Sequence, residues 1–493
     1  MDFQPASPSS HYISSSTLSL TILAVFESEI PIPDSAALVL LRDHFLPINP
    51  RFSSILVGDD EEKGWKRVQV RLEEHVKVPC FPPGLSPQEY DVHLQDYLSK
   101  VALEQLPNDR PLWEVHIITY PTSDAPGTFV FKLHHALGDG FSLMGALFSC
   151  LRRADDPSLP LTFPSSSATK TAAATASKKS YVRTCSKKAS SVAVGCWYTV
   201  SDLVSSVLHS TLLEDDRTAV RSGVPRVEFE PVSISTVTFS LSRIVEIKLK
   251  AVGVSSVPET KTCRHPYVQF MLESIECGLG TIFYGIQLYK QRMMGSKRSG
   301  NFTERTTALV LLNTRMVKSY QSVEDMLKKN TWGNHFTFLR VPIPSNSKDP
   351  HHENPLAFIA KAKKIIKRQR NSLAIYLTGI LLETMRRIRG HEAVSRYIHS
   401  TLKKSSTTIS HMVGPMEKMA IAGYPLKGLY FAVLGSPQGE SLQLTVVGYN
   451  GNLRIMVSAQ KGFIDSQLIV SCIKEAYQNM YREACGKELS ESQ

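Results

Sequence analysis

Hydrophobic positions in the first 155 residues follow two periods, one typical of strands and one typical of helices. Phe129, Phe131 and Leu133 alternate with other residues, which is the period of a strand. The strands predicted in this way are 17–26, 111–120 and 127–135. Residues 86–106 have apolar positions at helical spacing after a Ser-x-x-Glu capping box. The mixture predicts an α/β domain over residues 1–155.

The same mixture returns from residue 231 and continues to the end of the chain. Helical spacing is clear in the stretches NPLAFIAKAKKIIKRQR, LAIYLTGILLETMRRI and HEAVSRYIHSTLKK. Strand character is clear in TTISHMVGP, LKGLYFAVLG and SLQLTVVGYNGNLRIMVSA, where YNGN is a hairpin signal. We therefore expect a second α/β domain over residues 231–488, so that the fold class is α/β (α+β) with two domains.

Residues 156–230 differ in composition from both flanks and are predicted to connect the two domains. Their first part is rich in Ser, Ala, Thr, Pro and Lys, with little to bury. Residues 191–213 form an apolar stretch whose one charged residue is Asp202. Three interpretations stay open: a transmembrane span, an amphipathic helix on a membrane surface, and a helix packed between the domains. The Ser and Thr content favours the second.

The net charge and the positions of the basic residues indicate which classes of molecule this chain could bind. The chain has 493 residues and a net charge of +11, with basic clusters at 178–188 and 361–370. Neither cluster is interleaved with aromatic residues, and no nucleic-acid-binding motif is present, so nucleic acid is not an expected partner. A lipid headgroup, a phosphorylated molecule or plain solvent could each face the 361–370 helix. The eight cysteines lack metal-ligand spacing, which predicts reduced thiols and no metal site. The N-terminus lacks the features of a signal peptide.

The stretch HHALGDG, residues 134–140, carries the clearest candidate chemistry. The strand period sends His134 and His135 to opposite faces, so this pair cannot converge on one metal ion. Gly138, Asp139 and Gly140 make a tight turn, in which Asp139 can bind backbone N–H groups or an arginine. One histidine held between a strand end and an anchored turn is what general-base catalysis requires.

This stretch resembles the His-His-x-x-x-Asp-Gly motif of the CoA-dependent acyltransferase superfamily. Further segments are similar to the plant-type bifunctional wax ester synthase/diacylglycerol acyltransferase family: PASPSS, NDRPLWEVHII (108–118), LLNTRM (311–316), TWGNHFTFLRVPIP (331–344) and SHMVGP (410–415). The resemblance implies two chloramphenicol-acetyltransferase-like domains with a substrate tunnel at their interface. It implies His135 as general base, with His134 and Asp139 supporting it. The implied reaction moves a long-chain fatty acyl group from acyl-CoA to a fatty alcohol or diacylglycerol.

Other residues are predicted to contact substrate. The tetrahedral oxyanion needs a hydrogen-bond donor, for which Asn334, His335 and the backbone at Gly414 are candidates. The remaining candidates are Gly138 and Gly140, which permit close backbone approach, and Asn313, Arg315 and Ser410. No cofactor is expected, since acyl-CoA is a substrate. Without a Gly-rich phosphate loop, CoA would be held by surface Lys and Arg residues.

One segment departs from the family pattern. Residues 255–280 lack the Asn-Asp pair that the family has there and are longer than expected. This motivates a rival hypothesis: a catalytically silent lipid-binding or membrane-interaction protein. A third hypothesis is a soluble acyltransferase for another alcohol or amine. The expected location is the cytosolic face of the endoplasmic reticulum membrane, with the plasma membrane as the alternative.

Overall fold

The computed structural model describes residues 3–59, 62–162, 199–224, 230–251, 265–294, 304–315, 322–344, 354–370, 373–435 and 441–487. The strands in these ranges are β1 Phe3–Pro5, β2 Leu20–Ser28, β3 Ser54–Val57, β4 Gly64–Arg67, β5 Val76–Lys77, β6 Trp113–Ile118, β7 Gly127–His134, β8 Leu151–Arg153, β9 Val232–Ser240, β10 Thr307–Asn313, β11 Phe336–Pro342, β12 Thr407–Val413, β13 Met419–Ile421, β14 Tyr424–Gly435, β15 Leu442–Tyr449 and β16 Asn452–Gln460. The α-helices are α1 Pro8–Ile13, α2 Asp34–Leu40, α3 Leu72–His75, α4 Pro87–Leu103, α5 Gly140–Ser149, α6 over 199–211, α7 Leu241–Ala251, α8 His265–Met294, α9 Val323–Lys328, α10 Leu356–Arg370, α11 Ala374–Lys403 and α12 Ser466–Cys485.

The first large sheet has seven strands in the order β5-β6-β7-β2-β14-β13-β8. Strand β7 lies near its centre and is buried along its whole length, because the alternating Phe129, Phe131 and Leu133 fill the core. The Phe131 ring packs 5.4 Å from Phe45 and 6.1 Å from Phe26, measured between ring centroids. This packing fixes the end of β7, where the two adjacent histidines lie.

The second large sheet has six strands in the order β11-β10-β12-β15-β16-β9. Strands β10, β12 and β15 run parallel, and the other pairs are antiparallel. The predicted hairpin at YNGN joins β15 to β16, with Asn450 at φ 49° and Gly451 at φ 74°. Helices α7, α8, α10 and α12 pack on one side of this sheet around a second core.

Strands from the second half of the chain complete the first sheet. Strand β14 pairs antiparallel with β2, and β13 pairs with both β14 and β8. The sequence divides the chain into domains 1–155 and 231–488. Strands β13 and β14 belong to the second of these ranges but pair within the first sheet. Side-chain periodicity predicts that a segment is a strand but not which strand it pairs with, because backbone hydrogen bonding allows any exposed sheet edge to accept it.

A buried ionic cluster joins the two sheets. Arg454 on β16 forms a hydrogen-bonded ion pair with Glu27 on β2, and its Nη2 donates to Asp124 Oδ2 at 2.6 Å. The Arg454 guanidinium also lies 4.8 Å from the centroid of the Tyr430 ring. Removing one member of such a buried pair leaves an uncompensated charge, so the cluster holds the relative position of the sheets.

The predicted connector is partly structured. Residues 163–198 and 225–229 lie outside the described residues, and α6 occupies 199–211. After it, Asp215 Oδ2 accepts hydrogen bonds from Thr307 N, Thr307 Oγ1 and Ser406 Oγ at 2.6–2.7 Å, which ties this stretch to β10. Within the described ranges, no helix combines the length and the apolar character needed to cross a bilayer.

The unusual segment 255–280 is described only in part. Residues 255–264 lie outside the described ranges, and α8 begins at residue 265. At its end, Gly280 packs so closely on α10 that an added Cβ would lie 2.8 Å from Ile359 Cγ1. The described end of this segment is therefore a close-packed helix of the second core.

Candidate active site

The two adjacent histidines have separate partners, as the strand period indicated. His134 Nδ1 accepts the Ala136 N–H at 3.1 Å, so Nε2 carries the proton and donates to Ser19 Oγ at 3.0 Å. Burial, together with the neighbouring His135, lowers the pKa of His134 to about 3. His134 is therefore a neutral side chain with both nitrogens engaged.

The second histidine begins a short 3₁₀ turn, His135–Leu137, and is tied to Asn334 by two hydrogen bonds. Asn334 Nδ2 donates to the His135 carbonyl at 3.0 Å, which fixes the orientation of the amide. Asn334 Oδ1, 2.8 Å from His135 Nδ1, must then accept its proton. The proton of the neutral ring is therefore on Nδ1, and Nε2 has a lone pair able to accept another.

Burial lowers the pKa of His135, while Asp139 and the Asn334 hydrogen bond oppose that shift. The ring is 2 % exposed, and the Phe336 ring lies 5.4 Å away in an edge-on arrangement. A low pKa keeps this imidazole unprotonated near neutral pH. The group can therefore take a proton from a hydroxyl placed at Nε2.

Asp139 anchors the turn through a buried ion pair. Its carboxylate caps α5 by accepting the Ser142 N–H at 3.0 Å, and it accepts the His335 N–H at 2.9 Å. Arg315 donates to both carboxylate oxygens, at 2.6 and 3.0 Å. The Asp139 side chain is 6 % exposed and the Arg315 side chain is 1 % exposed. The sequence indicated a carboxylate that could bind an arginine, and Arg315 is that arginine.

Arg315 was predicted to contact substrate, and in the structure its guanidinium is surrounded by partners from the protein itself, so the substrate contact stays a prediction. Besides Asp139, its guanidinium donates to Ser142 Oγ, to the carbonyls of Thr331 and Gly333, and to Asn313 Oδ1. All five N–H groups of an arginine can be used in these bonds. Asn313 also accepts the Arg315 backbone N–H at 2.9 Å, so both predicted residues hold the turn.

Each carbonyl of the 135–137 turn accepts a hydrogen bond from a side chain that is distant in the sequence. The His135 carbonyl binds Asn334, the Ala136 carbonyl accepts from Ser10 Oγ at 2.9 Å, and the Leu137 carbonyl accepts from Trp332 Nε1 at 2.9 Å. Ser10 belongs to the PASPSS stretch, which the sequence marked only as a family feature. Three satisfied carbonyls hold the backbone of the turn in one conformation.

The three candidate oxyanion donors are engaged elsewhere. Asn334 Nδ2 binds the His135 carbonyl, His335 N binds Asp139, and Gly414 N donates to the Gly448 carbonyl at 2.9 Å. Burial and the nearby Arg315 lower the pKa of the His335 ring. In this structure both polar atoms of the Asn334 amide bind His135, and the oxyanion contact predicted for Asn334 stays a prediction.

The remaining predicted residues lie in two places. Gly138 and Gly140 flank Asp139; an added Cβ at Gly138 would lie 3.0 Å from Ser142 Cβ, whereas Gly140 has nothing within 4 Å. Ser410 is buried on β12, and among the described residues no hydrogen bond joins it to the histidine turn. Its substrate contact stays a prediction. Across those same ranges, no three His, Cys, Asp or Glu side chains are placed to hold a metal ion.

Comparisons with known proteins match this chain to one family. Residues 40–253 match the wax ester synthase/diacylglycerol acyltransferase catalytic domain, and residues 332–481 match the WS/DGAT C-terminal domain. Wax ester synthase/diacylglycerol acyltransferases 4 and 11 of Arabidopsis thaliana are each 26 % identical to this chain. The alignments cover 90 % and 92 % of this chain and 82 % and 90 % of those relatives.

Solved structures confirm the two-domain α/β fold. The wax ester synthase/diacylglycerol acyltransferase from Marinobacter aquaeolei VT8 aligns with a TM-score of 0.58 and 14 % identity, covering 98 % of this chain and 100 % of that one. The first condensation domain of the CDA synthetase aligns with a TM-score of 0.52 and 11 % identity, covering 97 % and 92 %. At these identities the likeness shows the fold alone, whereas the two domain models span most of the chain. The chain belongs to the wax ester synthase/diacylglycerol acyltransferase family.

Proposed function

We propose that this chain transfers a long-chain fatty acyl group from acyl-CoA to the hydroxyl of a fatty alcohol or a diacylglycerol, with His135 as the general base. The family and its relatives' names support the reaction class. The observation that carries the role of His135 is its hydrogen bond to Asn334, because this bond leaves Nε2 unprotonated inside a buried turn.

The reaction follows from that geometry. As the acceptor oxygen attacks the thioester carbonyl, His135 Nε2 takes the hydroxyl proton, and a tetrahedral oxyanion forms. When the oxyanion collapses, the carbon–sulfur bond breaks and the CoA sulfur receives the proton from Nε2. The products are an ester and free CoA, and the histidine is neutral again. The Nδ1 proton stays on the His135 ring throughout and is donated to Asn334 Oδ1, which stabilises the transient imidazolium.

Asp139 acts through the turn and not on the substrate. Its carboxylate is saturated by Arg315, Ser142 and His335, so it holds the position of His135 without exchanging protons with the acceptor. Acyl-CoA is a substrate in this proposal, and surface Lys and Arg residues hold its phosphates. The acceptors are membrane lipids, which supports a location at the cytosolic face of the endoplasmic reticulum membrane.

The test is ester formation by the purified full chain. Acyl-CoA is supplied with hexadecanol or with diacylglycerol, and wax ester and triacylglycerol are separated and quantified. We expect His135→Ala to lower the rate by about 10²–10⁴-fold, the usual contribution of a general base. The matched control is His44→Ala, an exposed histidine whose loss should leave the rate unchanged.

Two results would contradict the proposal. If the wild type binds acyl-CoA but makes neither ester, the chain is the silent lipid-binding protein of the rival hypothesis. If His135→Ala forms ester as fast as His44→Ala, another group is the base.

A further inference from the structure

A cavity of about 350 Å³, lined by both polar and apolar side chains, lies beneath α6 and the start of α11, beside β10 and β11. Phe338 lines the cavity, and its ring centroid is 5.7 Å from that of Phe336, which in turn lies 5.4 Å from the His135 ring. Phe336 and Phe338 share one face of β11, because they are two positions apart. The cavity therefore borders the face of β11 on which Phe336 contacts the candidate base.

The cavity is lined by buried polar atoms without a hydrogen-bond partner. Arg340 Nη2 is such a donor, and Gln369 Oε1 and Asp202 Oδ2 are such acceptors. A buried polar atom left unpaired costs about 1–3 kcal/mol, so this set suits a ligand that supplies both kinds of group. The hydroxyl and ester oxygens of a glyceride, or the hydroxyl of an alcohol, have that chemistry.

The two helices above the cavity turn polar or small side chains towards the protein and apolar side chains towards solvent, which is the opposite of a typical core-facing helix. Ser206 and His209 of α6 face the cavity, while Val200, Val204 and Leu208, at positions i, i+4 and i+8, are exposed. On α11, Ala374 and Thr378 face the cavity, and Leu373, Tyr376 and Ile380 are exposed. These exposed side chains are 37–62 % accessible. Adjacent apolar side chains on the outside of two neighbouring helices mark an interaction surface.

A basic rim adjoins this outer apolar surface, which we call the α6–α11 face. Arg368 Nη2, at the end of α10, donates to Asp202 at 3.0 Å, and Leu373 N donates to Thr199 Oγ1 at 3.2 Å, which fixes the three helix ends together. Lys364 and Lys367 on α10 are exposed. Apolar side chains bordered by lysine and arginine complement an anionic lipid surface, whereas two like-charged copies of this face would repel.

We propose that the α6–α11 face rests on an anionic lipid surface, and that the cavity beneath it receives the hydroxyl-bearing head of the lipid acceptor. This inference rests on the proposed function, since it assigns a route to that reaction's acceptor. The lipid meets the protein at the exposed side chains of α6 and α11. Its polar head enters between the two helices and moves past Phe338 towards His135.

Docking is tested by flotation of the full chain with vesicles of phosphatidylcholine, with and without phosphatidylserine. The variant Val204→Asp/Ile380→Asp should bind the phosphatidylserine vesicles at least about tenfold more weakly, because two apolar contacts are replaced by like charges. The control is Val39→Asp/Val92→Asp, which places the same charges on exposed valines of α2 and α4. Unchanged binding of the first variant, or equal loss in the control, overturns the proposal.

The cavity is tested by filling it. Thr378→Trp should raise the KM for a lipid acceptor at least about tenfold without raising the KM for acyl-CoA, because an indole takes up much of the cavity. Thr384→Trp is the matched control: both hydroxyls bond the carbonyl four residues earlier, but Thr384 is exposed. Thr378→Met should give a smaller shift if the tryptophan variant does not fold.

The outcomes separate this inference from the proposed function. A rise in the KM for acyl-CoA, or no change for either substrate, would overturn the assignment of the cavity. If the wild type makes no ester, the proposed function fails, and flotation still reports whether the face docks.

Discussion

Substitution of Asn334 should change the pH dependence of catalysis and not only its rate. In the wild type the Asn334 amide is neutral, and it binds His135 through Nδ1 and through the carbonyl oxygen. Asn334→Asp retains an acceptor for the Nδ1 proton but adds a negative charge beside the ring. Asn334→Ala removes the acceptor and the donor together.

The expected magnitudes follow from these two contacts. A carboxylate at the 2.8 Å position of Asn334 Oδ1 should raise the pKa of His135 by about 1–3 units, because it stabilises the imidazolium. The base works only when neutral, so the acidic limb of kcat/KM moves to higher pH by the same amount. In the wild type this limb should lie below 6.5, since burial lowers the pKa of His135. Asn334→Ala loses two hydrogen bonds of about 0.5–1.5 kcal/mol each and should lower kcat at every pH.

The assay is release of the CoA thiol over the pH range in which histidine titrates. Asn330→Asp is the control, because it adds the same charge at an exposed residue of the neighbouring loop. Above its shifted limb, Asn334→Asp should be more active than Asn334→Ala, since it still orients the ring. If the limb of Asn334→Asp coincides with that of the wild type, Asn334 does not act on the base and our assignment of its role is wrong.

Three further predictions concern stability, each measured by urea denaturation. Arg315→Met should cost about 3–5 kcal/mol, because it leaves the buried Asp139 carboxylate without its ion-pair partner, and adding Asp139→Asn should recover part of the loss; equal stability of the single and double variants would argue against an ion pair. The wild type should lose stability as pH falls below 6.5: burial lowers the pKa of His134 and His116 to about 3, so the unfolded chain binds their protons first. The slope should approach about 1.4 kcal/mol per pH unit for each of the two residues, and a flat profile between pH 6 and pH 4 would show that they are not buried as described. Gly414→Ala should cost about 1–3 kcal/mol, because the new Cβ would lie 2.8 Å from a β15 carbonyl oxygen, and a neutral effect would show that this strand end can shift.

The sequence predicts the chemistry of the histidine turn better than it predicts the partners of that turn. Strand period and turn composition separated His134 from His135 and placed an anchoring carboxylate at Asp139. The partners come from far along the chain, since Asn334 is 199 positions from His135 and Arg315 is 176 from Asp139. Nothing in one sequence distinguishes an asparagine that orients a base from one that binds an oxyanion, because both use the same amide.

Helices and strands with strong periodicity were predicted near their observed bounds. The Ser86 capping box starts α4, and YNGN closes β15 onto β16. The sequence of 191–213 allowed an amphipathic helix but did not indicate which face of α6 is exposed, because the residues that α6 packs against come from other segments. Which sheet a strand joins depends on edges that form elsewhere, so the sequence pattern of β14 did not indicate that it pairs with β2.

The pairing of β14 with β2 sets an order of events during synthesis. Residues 28 and 425 meet across this pair although they are 397 positions apart. A ribosome releases the N-terminal segments first, so β2 and the histidine turn emerge long before the strand that pairs with β2. Until residue 435 is available, one edge of β2 has unpaired backbone groups, which is the kind of edge that invites aggregation. This edge therefore needs protection through most of translation, and the first sheet is complete only after β13 and β14 have been made.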